Sequence, residues 1–133
     1  MNNILVGTEV ILWAQIDSPN LSQLVKELLI ASDSMKWVSH VSLYEIAIKH
    51  KIGKLPQLSG TPKAFFNQLW QDGYQLLPLT TDHITAYDQL PLINDHRDPF
   101  DRLILATVIH EGWPIMLSDR KLSWYPGLIN VIW

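Results

Sequence analysis

Cysteine is missing from this chain of 133 residues, which removes disulfides and thiolate metal sites from consideration and fits a reducing, cytoplasmic setting. Long apolar runs are missing too. None approaches the roughly 20 residues that cross a bilayer, so no membrane association is expected. The opening Met1-Asn2-Asn3-Ile4-Leu5-Val6 has no positive region and does not read as a secretory signal. An excess of basic residues is also absent. The net charge is −3, whereas a domain that grips nucleic acid through a plain basic surface is usually positive. The balance argues against a repressor-like DNA binder. It leaves open a metal-dependent nuclease, whose acids attract phosphate once cations sit among them. No glycine-rich phosphate loop occurs, which argues against nucleotide hydrolysis by that route. The five histidines lack zinc-like spacing, and His110 reads as packed or exposed near a helix end.

What is there alternates. Ile4-Leu5-Val6 is a short buried strand ending at Gly7. Thr8 can cap a helix from Glu9 to about Gln15, and Leu21, Leu24, Val25, Leu28 and Leu29 recur at helical spacing. Trp37-Val38-Ser39 is a second strand. Ser39 or Ser42 then caps a helix that carries Glu45 and ends at Gly53. Thr61-Pro62 opens a helix stopped by Gly73. Tyr74 to Leu79 reads as a strand, and Thr81-Asp82 caps a helix from about His83 to Leu90. A helix from Pro99 to about Glu111 stops at Gly112, and Ile115 to Leu117 and Ile129 to Ile132 close the chain as strands. This order predicts one domain over 1–133 with an α/β layer fold and a mostly parallel sheet.

In open parallel sheets, sites gather at the carboxyl ends of strands and the helix starts beside them. Four acids fall there. Asp98 and Asp101 open the helix at Pro99, Asp119 follows the strand at Ile115, and Glu45 follows the strand at Trp37. Asp98 before a proline reads first as a cap. Gathered carboxylates repel one another unless a cation sits among them, and hard cations such as Mg²⁺ or Mn²⁺ take oxygen ligands. The chemistry this supports is phosphodiester hydrolysis. Arg97, Arg102 and Arg120 each adjoin one of these aspartates. Their forks suit phosphate oxygens, or they hold the carboxylates in place. Lys49 lies four residues after Glu45. That pair reads either as an exposed ion pair worth a few tenths of a kcal/mol or as a carboxylate beside cations that meet a phosphate backbone.

Ile4-Leu5-Val6-x-Thr8, Ser42-Leu43-Tyr44-Glu45-Ile46-Ala47-Ile48-Lys49, Gly53-Lys54-Leu55, Leu77-Pro78-Leu79, His96-Arg97-Asp98-Pro99-Phe100-Asp101-Arg102 and Ser118-Asp119-Arg120 occur in this order. In this the chain resembles the PIN-domain family over essentially its whole length, and most of all the VapC-like toxins of type II toxin–antitoxin systems. The resemblance implies a PIN-like three-layer α/β/α fold and Mg²⁺- or Mn²⁺-dependent endoribonuclease activity on an RNA substrate. It also implies homodimers and a cognate antitoxin. It assigns Glu45, Asp101 and Asp119 to catalysis and metal binding, with Asp98, Arg102 and Thr8 auxiliary.

Gly7 departs from that pattern. The family expects an aspartate there as a central ligand, and glycine supplies no side-chain oxygen. Glu9, two residues on, begins a helix and does not substitute cleanly. Leu117, where a small hydroxyl residue is common, departs too. Three explanations are open for Gly7: a degenerate protein that only binds antitoxin or RNA, a working site with weaker metal affinity, or an inactivating change acquired in an expression host. Impaired RNA cleavage is the expectation, and a non-cleaving PIN-like binding module is the alternative. A phosphoacceptor domain is a third reading, weakened because Lys121 lies too near Asp119.

Overall fold

A computed structural model describes residues 2–92, 98–118 and 127–133. Strand β1 (Asn2–Val6) leads into helix α1 (Thr8–Gln15), and α2 (Gln23–Ile30) into β2 (Ser34–Ser39). Helices α3 (His40–Lys51) and α4 (Pro62–Gln71) precede β3 (Gln75–Leu77). Then come α5 (Thr81–Thr85), a 3-10 turn over Ala86–Gln89, α6 (Pro99–Glu111), β4 (Ile115–Met116) and β5 (Val131–Ile132). The strands form one sheet in the order β3-β2-β1-β4-β5, with every pairing parallel. The parallel α/β layering expected from the alternation, and the three-layer α/β/α arrangement implied by the resemblance, are the ones observed.

Period-two alternation explains the layers. Ile4 and Val6 join Val10, Ile11, Val25, Val38 and Leu69 on one face, under α1, α2 and α4. Leu5 points the other way and meets Val41, Leu77, Ile104, Val108 and Ile115, under α6. Apolar runs without a polar face were legible as strands because both sides of β1 are covered.

The helix starts correct two sequence readings and choose between the alternatives of a third. Gly7, in extended conformation, is the N-cap of α1, and Thr8 is its first helical residue. Ser39 rather than Ser42 caps α3, accepting from the Val41 N–H. Thr80, not Thr81, caps α5 through a capping box with His83. At α3 and α5 the hydroxyl of the residue just before the helix accepts from a free N–H group of the first turn, whereas Gly7 gives α1 no side-chain cap. The strands at Tyr74, Ile115 and Ile129 are also shorter than their apolar runs. Gly112 ends α6 at φ 72°, a left-handed cap that glycine adopts without strain.

Tyr74 lies buried between α4 and β3. Burial, and then the nearby Asp72 charge, push its phenol up from 10.0 to about 12. The folded state thus keeps a proton that the unfolded chain has lost, so this stabilisation is full below pH 10.0 and disappears as pH rises to about 12. Urea melts are expected to show stability falling across that window, with the Tyr74→Phe variant losing that part of the slope. An unchanged slope in the variant would contradict the assignment.

Candidate active site

Three parallel strands deliver their carboxyl ends side by side, because β1 lies between β2 and β4. At the end of β1, the Gly7 N–H donates to the Met116 carbonyl at 2.9 Å, so the ladder with β4 continues one residue past the strand. The next side chain, Thr8, donates its Oγ1 proton to Ser42 Oγ at 2.8 Å. Both residues are buried. This bond joins the end of β1 to the first turn of α3.

Glu45 lies one turn beyond Ser42, on the same side of α3. It is 6% exposed. Its Oε2 meets Lys49 Nζ at 3.0 Å, while Oε1 is buried with no hydrogen-bond partner among the described residues. The reading of Glu45–Lys49 as an exposed surface pair is therefore corrected: the carboxylate is inside and the ammonium is the partly exposed end. A buried carboxylate oxygen left unpaired costs roughly 1–3 kcal/mol or more. Such unsatisfied groups call for an explanation, and functional sites are one of the usual ones.

The start of α6 completes the described part. Asp98 Oδ1 accepts from the backbone N–H groups of Phe100 at 2.9 Å and Asp101 at 3.2 Å. It is the N-cap the sequence indicated. Asp101 follows in the first turn, half-buried. Ile104, one turn on, is buried against Leu5 and Val41, so Asp101 sits on the sheet-facing side of α6 at the strand-end edge. The Phe100 ring packs edge-on against Tyr44, beside Glu45, at 5.8 Å. Replacing Asp98 by alanine is expected to cost about 1 kcal/mol in urea melts. A loss near zero would mean that solvent caps this helix equally well.

Arg102, expected as an auxiliary residue, is 2% exposed. Its Nε donates to the Tyr87 hydroxyl at 2.8 Å and its Nη1 to the Pro91 carbonyl at 3.2 Å. The guanidinium also lies over the Tyr87 ring at 4.9 Å. It ties α6 to the turn before it. Asp119, Arg97 and Arg120 lie outside the described residues. Glu9 accepts a bond from Ser118 Oγ at 3.3 Å, exposed at the edge of the same strand ends.

The donor set fits a hard cation only in part. Glu45 supplies a buried free oxygen and Asp101 a carboxylate at a helix start, whereas Gly7 supplies nothing. A second cluster was not foreseen from spacing: ligand atoms of His83, His110 and Glu111 lie within 4.8 Å of one another. They sit at the far end of α6. The Thr80 N–H donates to His83 Nδ1 at 3.1 Å, so the neutral ring carries its proton on Nε2, which faces Glu111 Oε2 at 3.6 Å. A metal would need that nitrogen bare. The cluster reads as the closure of α5 onto α6.

The chain belongs to the PIN domain family, whose model matches residues 4–128. Its fold is that of chains in solved VapBC complexes. VapBC2 from Rickettsia felis, bound to a promoter DNA fragment, superposes with a TM-score of 0.71 at 14% identity, covering 98% of this chain and 97% of that one. DNA-bound VapBC from Salmonella typhimurium gives 0.68 at 14% identity, covering 99% and 98%. VapBC-5 from Mycobacterium tuberculosis gives 0.62 at 18% identity, covering 99% and 97%. No curated protein sequence matches.

Proposed function

We propose that this chain is the toxin-side member of a toxin–antitoxin pair, built as a divalent-metal-dependent endoribonuclease and impaired in cleavage by the loss of an acid at Gly7. The observation that carries it is Glu45, a buried carboxylate with one oxygen unpaired, one turn from the Thr8–Ser42 bond at the strand ends. Glu45, Asp101 and Asp119 would hold Mg²⁺ or Mn²⁺. When bound, such a cation supplies a polarised water and charge neutralisation at phosphate. Asp98 holds the α6 terminus that presents Asp101, and Thr8 fixes the end of β1 to α3. Arg102 acts by position, through Tyr87 and Pro91.

An antitoxin partner is supported by the VapBC complexes among the structural neighbours and by apolar side chains left exposed on α2, Leu24 and Ile30. RNA as substrate, a homodimer and a cytoplasmic setting rest on the family resemblance. Among the described residues, no helix is long and apolar enough to cross a membrane. The second reading, a binding module that takes antitoxin or RNA without cleaving, is favoured by Gly7 itself.

The test assays RNA hydrolysis with Mn²⁺ in the given chain and in variants carrying Gly7→Asp, alone and with Leu117→Ser. Activity restored in the double variant, abolished by chelator and by a further Asp101→Asn change, is the expected result. If no variant cleaves RNA or slows growth, the nuclease reading fails and the binding module stands.

A further inference from the structure

Gly7 has φ −67° and ψ 159°, a conformation open to any residue. Glycine is therefore not required there by the backbone. The space beside it decides the matter. A Cβ at position 7 would fall 2.3 Å from Leu117 Cδ2, 3.1 Å from Leu117 Cγ and 2.7 Å from the Met116 carbonyl oxygen. The first contact is far inside van der Waals distance. The last is with backbone that the Gly7 N–H itself holds at 2.9 Å. Leu117 is half-buried, and swinging aside would give up packing. It packs against the cluster of Leu5, Val41 and Ile104 and against that of Ala86, Leu90 and Leu105, and its N–H donates to the Ile132 carbonyl at 3.3 Å.

We infer that Gly7 and Leu117 are a matched pair: Leu117 fills the volume that a side chain at position 7 needs, so the β1/β4 edge of the site is closed by hydrocarbon and holds no divalent cation. The inference deepens the proposed impairment and rests on that reading of the site. It also chooses among the explanations of Gly7. A recent single change from aspartate would leave behind a neighbour shaped for aspartate. Here the neighbour is shaped for glycine, and reversal requires both positions. The residues at this edge do not fit the metal that the family implies. Leu117 thereby becomes the side chain that must give way before a carboxylate can return, with the Met116 carbonyl shifting slightly to admit the Cβ.

A four-protein cycle tests this: the chain, Gly7→Asp, Leu117→Ser and the double variant, each stripped with chelator, read by thermal melting and by Mn²⁺ titration followed by electron paramagnetic resonance. Gly7→Asp alone is expected to lower Tm by roughly 5–10 °C, from overpacking, and to gain no Mn²⁺ affinity. The double variant is expected to bind Mn²⁺ at least tenfold tighter than the chain, and to melt higher than the sum of the single changes predicts. The inference is overturned if Gly7→Asp alone keeps the Tm of the chain, or gains as much Mn²⁺ affinity as the double. If either aspartate variant does not fold, Gly7→Ala with and without Leu117→Ala decides the packing claim. Gly7→Ala must lower Tm, and Leu117→Ala must recover part of that loss, or the pair is not matched. Neither readout involves RNA, so nuclease failure and pair failure are separable.

Discussion

Arg102→Ala is expected to lower the unfolding free energy by about 3 kcal/mol, the largest single-residue loss at the candidate site. Among the described residues, three interactions go at once: the bond to the Tyr87 hydroxyl, the bond to the Pro91 carbonyl, and the stacking of the guanidinium on the Tyr87 ring. A buried, volume-filling stem disappears with them. Arg102→Lys keeps a charge but not the planar fork, so it is expected to recover little. Urea melts of the three proteins measure this. A variant that melts like the parent and only weakens RNA binding would return Arg102 to the phosphate-contact role that its place beside Asp101 first suggested.

Glu45→Met is expected to act in the opposite direction, raising stability by about 2 kcal/mol. The native side chain buries a carboxylate of which one oxygen is unpaired. Among the described residues its one ion pair is with a partly exposed lysine, and the cost of burying the carboxylate can exceed what such a pair returns. A thioether of similar length removes the desolvation cost and keeps the volume. Stability gained by deleting an acid is the signature of a group kept for function. A loss of stability on thermal melting would instead assign Glu45 a structural role through Lys49.

Much of the fold was legible because hydrophobic patterning carries it. Ile4-Leu5-Val6 is covered on both faces, and a strand buried twice must be apolar throughout. The cap at Asp98 was equally plain, since a proline at the first helical position leaves the preceding side chain facing free N–H groups. What sequence could not supply was lateral neighbourhood. Gly7 and Leu117 stood out as two separate departures from the family pattern. Only the order β2-β1-β4 puts their atoms in one volume. Arg102 misled for a related reason. Its sequence neighbour Asp101 suggested a shared site, whereas helical phase groups it with Leu105 and Ala106, one turn on and both buried. The cluster of His83, His110 and Glu111 shows no spacing signal because α5 and α6 meet only in three dimensions.

The most direct measurement is the rate of Mn²⁺-dependent RNA hydrolysis by the given chain beside the Gly7→Asp/Leu117→Ser variant. With one wall of the site closed by hydrocarbon, the chain is expected to cleave at least about a hundredfold more slowly than the restored variant. Equal rates would show that the edge at Gly7 plays no part in the chemistry, and would contradict the central claim that this PIN domain is impaired there.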